Sequence, residues 1–122
     1  MNRQSKDIRR RTRRFALAII KLVRGLPRDM VGTTIGRQVI RSATSVGANF
    51  VAAQRARSPA EFIAKLGISE EEADETIFWL DLLQESNYAS PQQIMPLRDE
   101  AEQLLRIIAA IIISKKCTLN RT

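Results

Sequence analysis

Two segments of this chain open with the same device, and it fixes where helices begin. Ser58-Pro59-Ala60-Glu61 and Ser90-Pro91-Gln92-Gln93 each set a capping serine before a proline, with Glu or Gln three residues after the serine. The serine oxygen takes an otherwise unpaired backbone N–H, proline suits the first helical position, and the Glu or Gln reaches back toward the cap. Gly25-Leu26-Pro27 ends an earlier segment. Between these stops apolar residues recur at steps of three and four. The rows are Ile8, Phe15, Ile19, Leu22, Leu26; then Ile35, Val39, Ala43, Val46, Phe50, Ala53. The third runs Phe62, Leu66, Ser69, Ala73, Thr76, Leu80, Leu83, and the fourth Ile94, Leu97, Ala101, Leu104, Ile108, Ile111. This period belongs to the seam of a left-handed bundle, and no window alternates as a strand does. Short connections make sequential helices antiparallel. The sequence therefore predicts an all-α, up-down-up-down four-helix bundle, helices about 5–25, 33–57, 59–87 and 91–116, in one domain over 1–122. Gly67 interrupts no apolar phase, so the third helix is expected to be continuous, bent at most. Pro96 is expected to kink the fourth helix or delay its start.

Composition narrows the chemistry. Histidine is absent, which removes the usual general base and the commonest metal ligand. A single cysteine, Cys117, excludes an internal disulfide and a cysteine zinc site. No cofactor or metal is expected. The apolar runs Phe15–Ile20 and Ile107–Ile113 are far shorter than a membrane span requires. Lys21 interrupts the first of them, which is too short for a signal peptide. An Arg-rich organelle presequence is a second way to read the N-terminus, but that segment is in phase with the bundle. A soluble, cytoplasmic protein with no membrane partner is expected.

Charge is unevenly spread. The chain carries a net +7, yet residues 1–28 hold ten basic and one acidic residue, while residues 58–89 hold one basic and eight acidic. On a helical wheel Arg3, Lys6, Arg10, Arg13, Arg14, Lys21 and Arg24 share one sector, opposite Ile8, Phe15, Ile19, Leu22 and Leu26. Arg9 and Arg11 flank it. Positive charge near a helix N-terminus opposes the macrodipole, so local stability does not account for the stripe. Pairing with the acidic third helix, within or between subunits, is one explanation; phosphate binding is another, and solubility a third. Arg3, Lys6, Arg9, Arg10, Arg13, Arg14, Lys21 and Arg24 are the candidate nucleic-acid contacts. No aromatic residue interleaves with them, so contact would be to backbone, salt-dependent and weakly sequence-selective.

Three further features stand out. Ile107–Ile113 is apolar all the way round, and with Leu105 it needs a cover. A homo-oligomer contact through Leu105, Ile107, Ile112 and Ile113 is one; a terminal turn overlaid by Leu119 and the N-terminus is the other. The run Arg41-Ser42-Ala43-Thr44-Ser45-Val46-Gly47-Ala48-Asn49 reads as tight helix packing with a satisfied polar pair, or else as a ligand site. Asn49, near the core phase, is expected to need hydrogen-bond partners. Glu72 and Glu75 share a helical face. Without histidine or a matching carboxylate helix, pairing with Arg37 or Arg41 is favoured over acid–base or metal work.

Ile35-Gly36-Arg37-Gln38 with Arg41 to Asn49 resembles the second-helix pattern of the 23S rRNA intervening-sequence proteins. Ser58, Phe62-Ile63-Ala64-Lys65, Glu72-Ala73-Asp74-Glu75-Thr76 and Trp79-Leu80 resemble its third, and Glu102-x-x-Leu105-x-x-Ile108 its last. The resemblance spans about residues 8 to 116. Its pattern residues here are Arg37, Arg41, Ser45, Gly47, Asn49, Phe62, Glu72, Glu75 and Trp79. It implies an antiparallel four-helix bundle assembled as a homopentameric ring, with no assigned catalytic residues. A similar fold and assembly occur in accessory proteins of diversity-generating retroelements, which bind nucleic acid and a reverse transcriptase through a basic surface. Val51-Ala52-Ala53 stands where the family commonly has an acidic residue after Gly-Ala-Asn. The combined expectation is a non-enzymatic, homo-oligomeric bundle binding nucleic acid or a nucleoprotein partner. The alternative is a protein–protein scaffold whose basic first helix pairs with the acidic third within the oligomer.

Overall fold

A computed structural model describes residues 2–121. They form α1 (Arg3–Arg24), α2 (Met30–Gln54), α3 (Pro59–Glu85) and α4 (Pro91–Asn120), with no strand among the described residues. Caps set the starts. Asn2 accepts from the Ser5 N–H and starts α1 two residues earlier than the periodicity predicts. Asp29 accepts from the Gly32 N–H at 2.8 Å and starts α2 at Met30 rather than 33. Ser58 and Ser90 cap α3 and α4 as predicted, the latter in a full capping box with Gln93. Glu61 reaches one residue further than expected, to the Arg57 N–H at 3.0 Å. α2 stops three residues short of its predicted end, because the chain turns through Arg55–Arg57 into the extended Ser58 cap. α3 closes through Asn87, at φ 63° in the left-handed region that asparagine tolerates. Pro96 does not delay α4, which runs from Pro91. The proline removes only the bond to the Gln92 carbonyl, near the helix start. α3 runs unbroken through Gly67.

Cross-helix pairs fix the topology. Thr12 faces Gly47 and Val23 faces Gly36, so α1 and α2 run oppositely. Ser69 reaches the Val46 carbonyl and Thr76 reaches Ser42, which sets α2 against α3. Arg98 meets Asp81 while Lys115 covers Phe62, so α3 and α4 are antiparallel too. α1 also packs on α4, and α1 and α3 lie on the diagonal. Two apolar clusters fill the interior. Phe15, Ile19, Val39, Leu80 and Leu104 belong to one; Ile8, Phe50, Leu66 and Ile108 belong to the other. Thr12, Ser42, Ser69 and Thr76 are the buried polar residues among those described. Ser69 donates to the Val46 carbonyl at 2.6 Å, and Thr76 Oγ1 lies 2.9 Å from Ser42 Oγ. Each sits in an apolar row with its hydrogen bond made inside the bundle.

Candidate functional site

The four helix–helix seams are closed differently. Arg11 spans α1 and α4: its Nη2 and Nε donate to Glu100 at 2.6 and 3.1 Å, and Gln103 accepts from Nη2 at 3.1 Å. The hydrogen bonds and charge of Glu100 raise the Arg11 pKa. Arg41 spans α2 and α3, donating to Glu72 at 2.8 Å and also to Glu75. Arg98 spans α3 and α4, bonding Asp81 at 2.8 Å and Glu102 in its own helix. All three guanidiniums are partly exposed, so each pair contributes on the order of 1 kcal/mol or less. The α1–α2 seam holds no ion pair among the described residues. It is closed by glycine: a Cβ on Gly36 would stand 3.0 Å from Val23 Cγ1, and one on Gly47 3.0 Å from Thr12 Oγ1.

The basic residues of α1 divide accordingly. Arg3, Lys6, Arg9, Arg10, Arg13, Arg14, Lys21 and Arg24 are all exposed. No side chain of the eight makes an ion pair within the described chain. The two flanks of the stripe differ: Arg11 turns to α4 and finds Glu100, while Arg9 turns to α2 and finds no acid. Leu17, 58% exposed, sits in the middle of the stripe.

Pairing of the stripe with α3 inside the chain is excluded by the diagonal placement of α1 and α3. Glu72, Glu75 and Asp81 of α3 are taken by Arg41 and Arg98 instead. Glu71, Asp74 and Glu85 remain exposed on the outer face of α3, around Phe78 at 55% exposure.

Of the pattern residues, Arg41, Glu72 and Glu75 come together as one cluster. The Glu75 carboxyl is held below the usual range by hydrogen bonding with Glu72 and then with Arg41. Four residues after Glu75, Trp79 meets Phe78 edge-on with ring centroids 5.0 Å apart, and its buried indole also helps to lower the Glu75 pKa. Arg37 is exposed and makes no ion pair among the described residues, so Arg41 alone answers the two carboxylates. Gly47 serves close packing. Asn49 finds its hydrogen-bond partner in its own helix: half-buried, it donates to the Ser45 carbonyl at 3.0 Å. The buried polar contact belongs to Ser42, Thr76 and Ser69 instead. Phe62 is half-buried beneath the Lys115 ammonium, 5.5 Å from its ring centroid.

The apolar end of α4 is also redistributed. Ile112 is 8% exposed and packs in the bundle core, so it offers no surface to a second copy. Leu105 and Ile107 are half-buried against that core. α4 borders both α1 and α3, and its buried arc is therefore wide. Ile113, at 62% exposure, is the member of the candidate interface that faces out. Leu119 lies further along the same helix and does not fold back over the run.

With this geometry in place, comparison with known families is decisive. The model of the 23S rRNA-intervening sequence protein family matches residues 4–110. The chain belongs to that family. It is also similar to a crystal structure from Bacteroides thetaiotaomicron, described as a protein of unknown function from the S23 ribosomal protein family. Identity is 31% over 88% of this chain and 96% of that one, with a TM-score of 0.83. Comparison with curated proteins finds no match. No helix of the described residues is long and apolar enough to cross a membrane. The family match stops ten residues before the end of α4, so the helix end carrying Ile113 lies beyond it.

Of the groove residues on α2, Thr44, Gly47 and Ala48 lie in the run that reads as tight packing or a ligand site, and Val51 lies outside it. Thr44, Gly47, Ala48 and Val51 matter by what they leave open beside Arg9 and Arg13. The signal was a run of short side chains in phase with the flank of the stripe.

Proposed function

We propose that this 23S rRNA-intervening sequence family member is a cytoplasmic, non-enzymatic, homo-oligomeric bundle. Its α1 surface binds nucleic acid, free or in a nucleoprotein, mainly through phosphates. One observation carries the reading: eight cations on α1 stand exposed without an acid, while Arg11, Arg41 and Arg98 each have one. Their mutual repulsion, with the opposition of Arg3 and Lys6 to the dipole at the helix start, destabilises the free protein, and a polyanion relieves both. From Arg3 to Arg24 the stripe runs about 32 Å along the helix, close to one turn of a nucleic-acid duplex. An oligomeric ring repeats it and adds avidity. Glu72 and Glu75 are committed to Arg41, which argues against general-base chemistry there.

A second reading has its own observation. The outer face of α1 is basic around Leu17, and that of α3 is acidic around Phe78. The two faces sit on opposite corners, which suits a head-to-tail contact between copies, as a ring requires. Changing Arg10, Arg14 and Lys21 together to Gln separates the readings. Loss of polyanion binding with an intact oligomer supports the nucleic-acid surface. Loss of the oligomer supports the scaffold.

A further inference from the structure

The α1–α2 seam carries a groove of about 350 Å³ between Arg9 and Arg13 on one side and Ala48 and Val51 on the other, with Thr12 and Gly47 at its base. Its origin is local. Gly47 lets the two helices approach until a side chain there would press on Thr12. On the outer row of α2 the residues beside that contact, Thr44 and Ala48, are short, so the trough stays open. Further along that exposed row Arg37 and Arg41 are long.

The groove is cationic without counter-charge. No Asp or Glu lines it, and it lies on the seam that lacks an ion pair. Its hydroxyls are already committed to backbone carbonyls: Thr12 donates to Arg9 at 3.0 Å and Thr44 to Ile40 at 2.7 Å. They are left as acceptors and methyl walls, while the free donors are guanidiniums. Arg9 and Arg13 also border a second depression, which Lys6 and Arg10 complete. The two hollows thus share a wall of cations one helical turn apart, about 6 Å along the axis.

Resting on the nucleic-acid reading above, we infer that this groove seats the sugar-phosphate backbone of a single-stranded nucleic acid. Arg9 and Arg13 hold successive phosphates, and the sugars lie against Ala48 and Val51. A lone phosphate would use one end of such a cation row; a chain of phosphates uses its length. A duplex is too wide to enter and is confined to the outer row of Arg10, Arg14, Lys21 and Arg24. With no aromatic residue in the lining, bases are not stacked, and the groove has little sequence preference.

The test blocks the groove without touching a charge. Ala48 is exposed, so Ala48→Trp fills the trough while leaving the core alone. Thr44→Trp, at the other exposed position, serves if the first variant melts early. Binding of a labelled uridine oligonucleotide and of a duplex of equal length is read by fluorescence anisotropy. The blocked variant is expected to bind the single strand about tenfold more weakly and the duplex as before. Arg9→Gln with Arg13→Gln should lower the single-strand salt slope by roughly 1.4, about 0.7 for each lost phosphate contact. Unchanged single-strand affinity in a folded blocked variant overturns the groove while leaving the outer stripe as the surface. Equal loss of both probes overturns the preference for single strands. No binding of either probe by the unaltered protein overturns the underlying reading as well.

Discussion

A Cβ on Gly47 would stand 3.0 Å from the Thr12 hydroxyl and 3.2 Å from the Thr12 Cβ, so these two residues set the spacing of α1 and α2. Thr12 is buried and hydrogen-bonded to the Arg9 carbonyl, and it has little room to retreat. Gly47→Val should destabilise by about 1–3 kcal/mol through overpacking. Gly32→Ala should be worse, because its Cβ would run into the Pro27 carbonyl, which is backbone. Gly67→Ala is the internal control: nothing lies near its Cβ, and removing a helix-interior glycine should stabilise by about 0.5–1 kcal/mol. Denaturant midpoints of the three variants check the order.

Buried polar residues make the second prediction. Ser69→Ala leaves a core hydroxyl bond to Val46 unmade and should cost about 1 kcal/mol. Asn49→Leu provides the contrast. Since Asn49 bonds only its own helix and is half-buried, that variant should stay within about 0.5 kcal/mol of the parent. Thermal melts of the pair decide which residue carries the polar core.

Asp29 contributes to acid stability alongside Glu75. Its carboxylate caps α2 and accepts the Tyr88 hydroxyl at 2.7 Å, and the Gly32 N–H, followed by Tyr88, holds its pKa below the usual value. A depressed carboxylate stabilises the fold above its unfolded pKa of about 3.9, and that contribution is lost as pH falls through the lower folded value. Melts from neutral pH to about pH 3 should therefore show a drop that shrinks in Asp29→Asn. Tyr88→Phe removes one of the two bonds and should give an intermediate profile.

Ile112 and Ile113 are neighbours with opposite roles. Ile112→Glu puts a charge into the core and should unfold the bundle, at a cost of several kcal/mol. Ile113→Glu changes an exposed residue and should leave the monomer folded. If α4 helps join copies, light scattering of Ile113→Glu will show a smaller particle than the parent. An unchanged particle removes Ile113 from the interface.

The caps and apolar rows made the helices and core legible in the sequence, including Ser69 and Thr76, which stand in the apolar row of α3 and are buried there. What was not legible depends on pairings across the chain. Arg9 and Arg11 are equivalent on a wheel, and only the placement of Glu100 on α4 separates a paired flank from an unpaired one. Ile112 and Ile113 are likewise alike in sequence, and the angle at which α4 meets both neighbours decides which is buried. The groove is the hardest case. Short side chains on α2 form it, and an absence of atoms has no periodic signature until the facing arginines are in place.

If the unpaired cations on α1 hold phosphates, nucleic-acid affinity falls as salt rises. The most direct measurement is the slope of log affinity against log salt for nucleic acid. A steep negative slope is expected for the unaltered protein, reduced by roughly three when Arg10, Arg14 and Lys21 become Gln. A flat slope, or one that those three changes leave untouched, would contradict phosphate binding by α1.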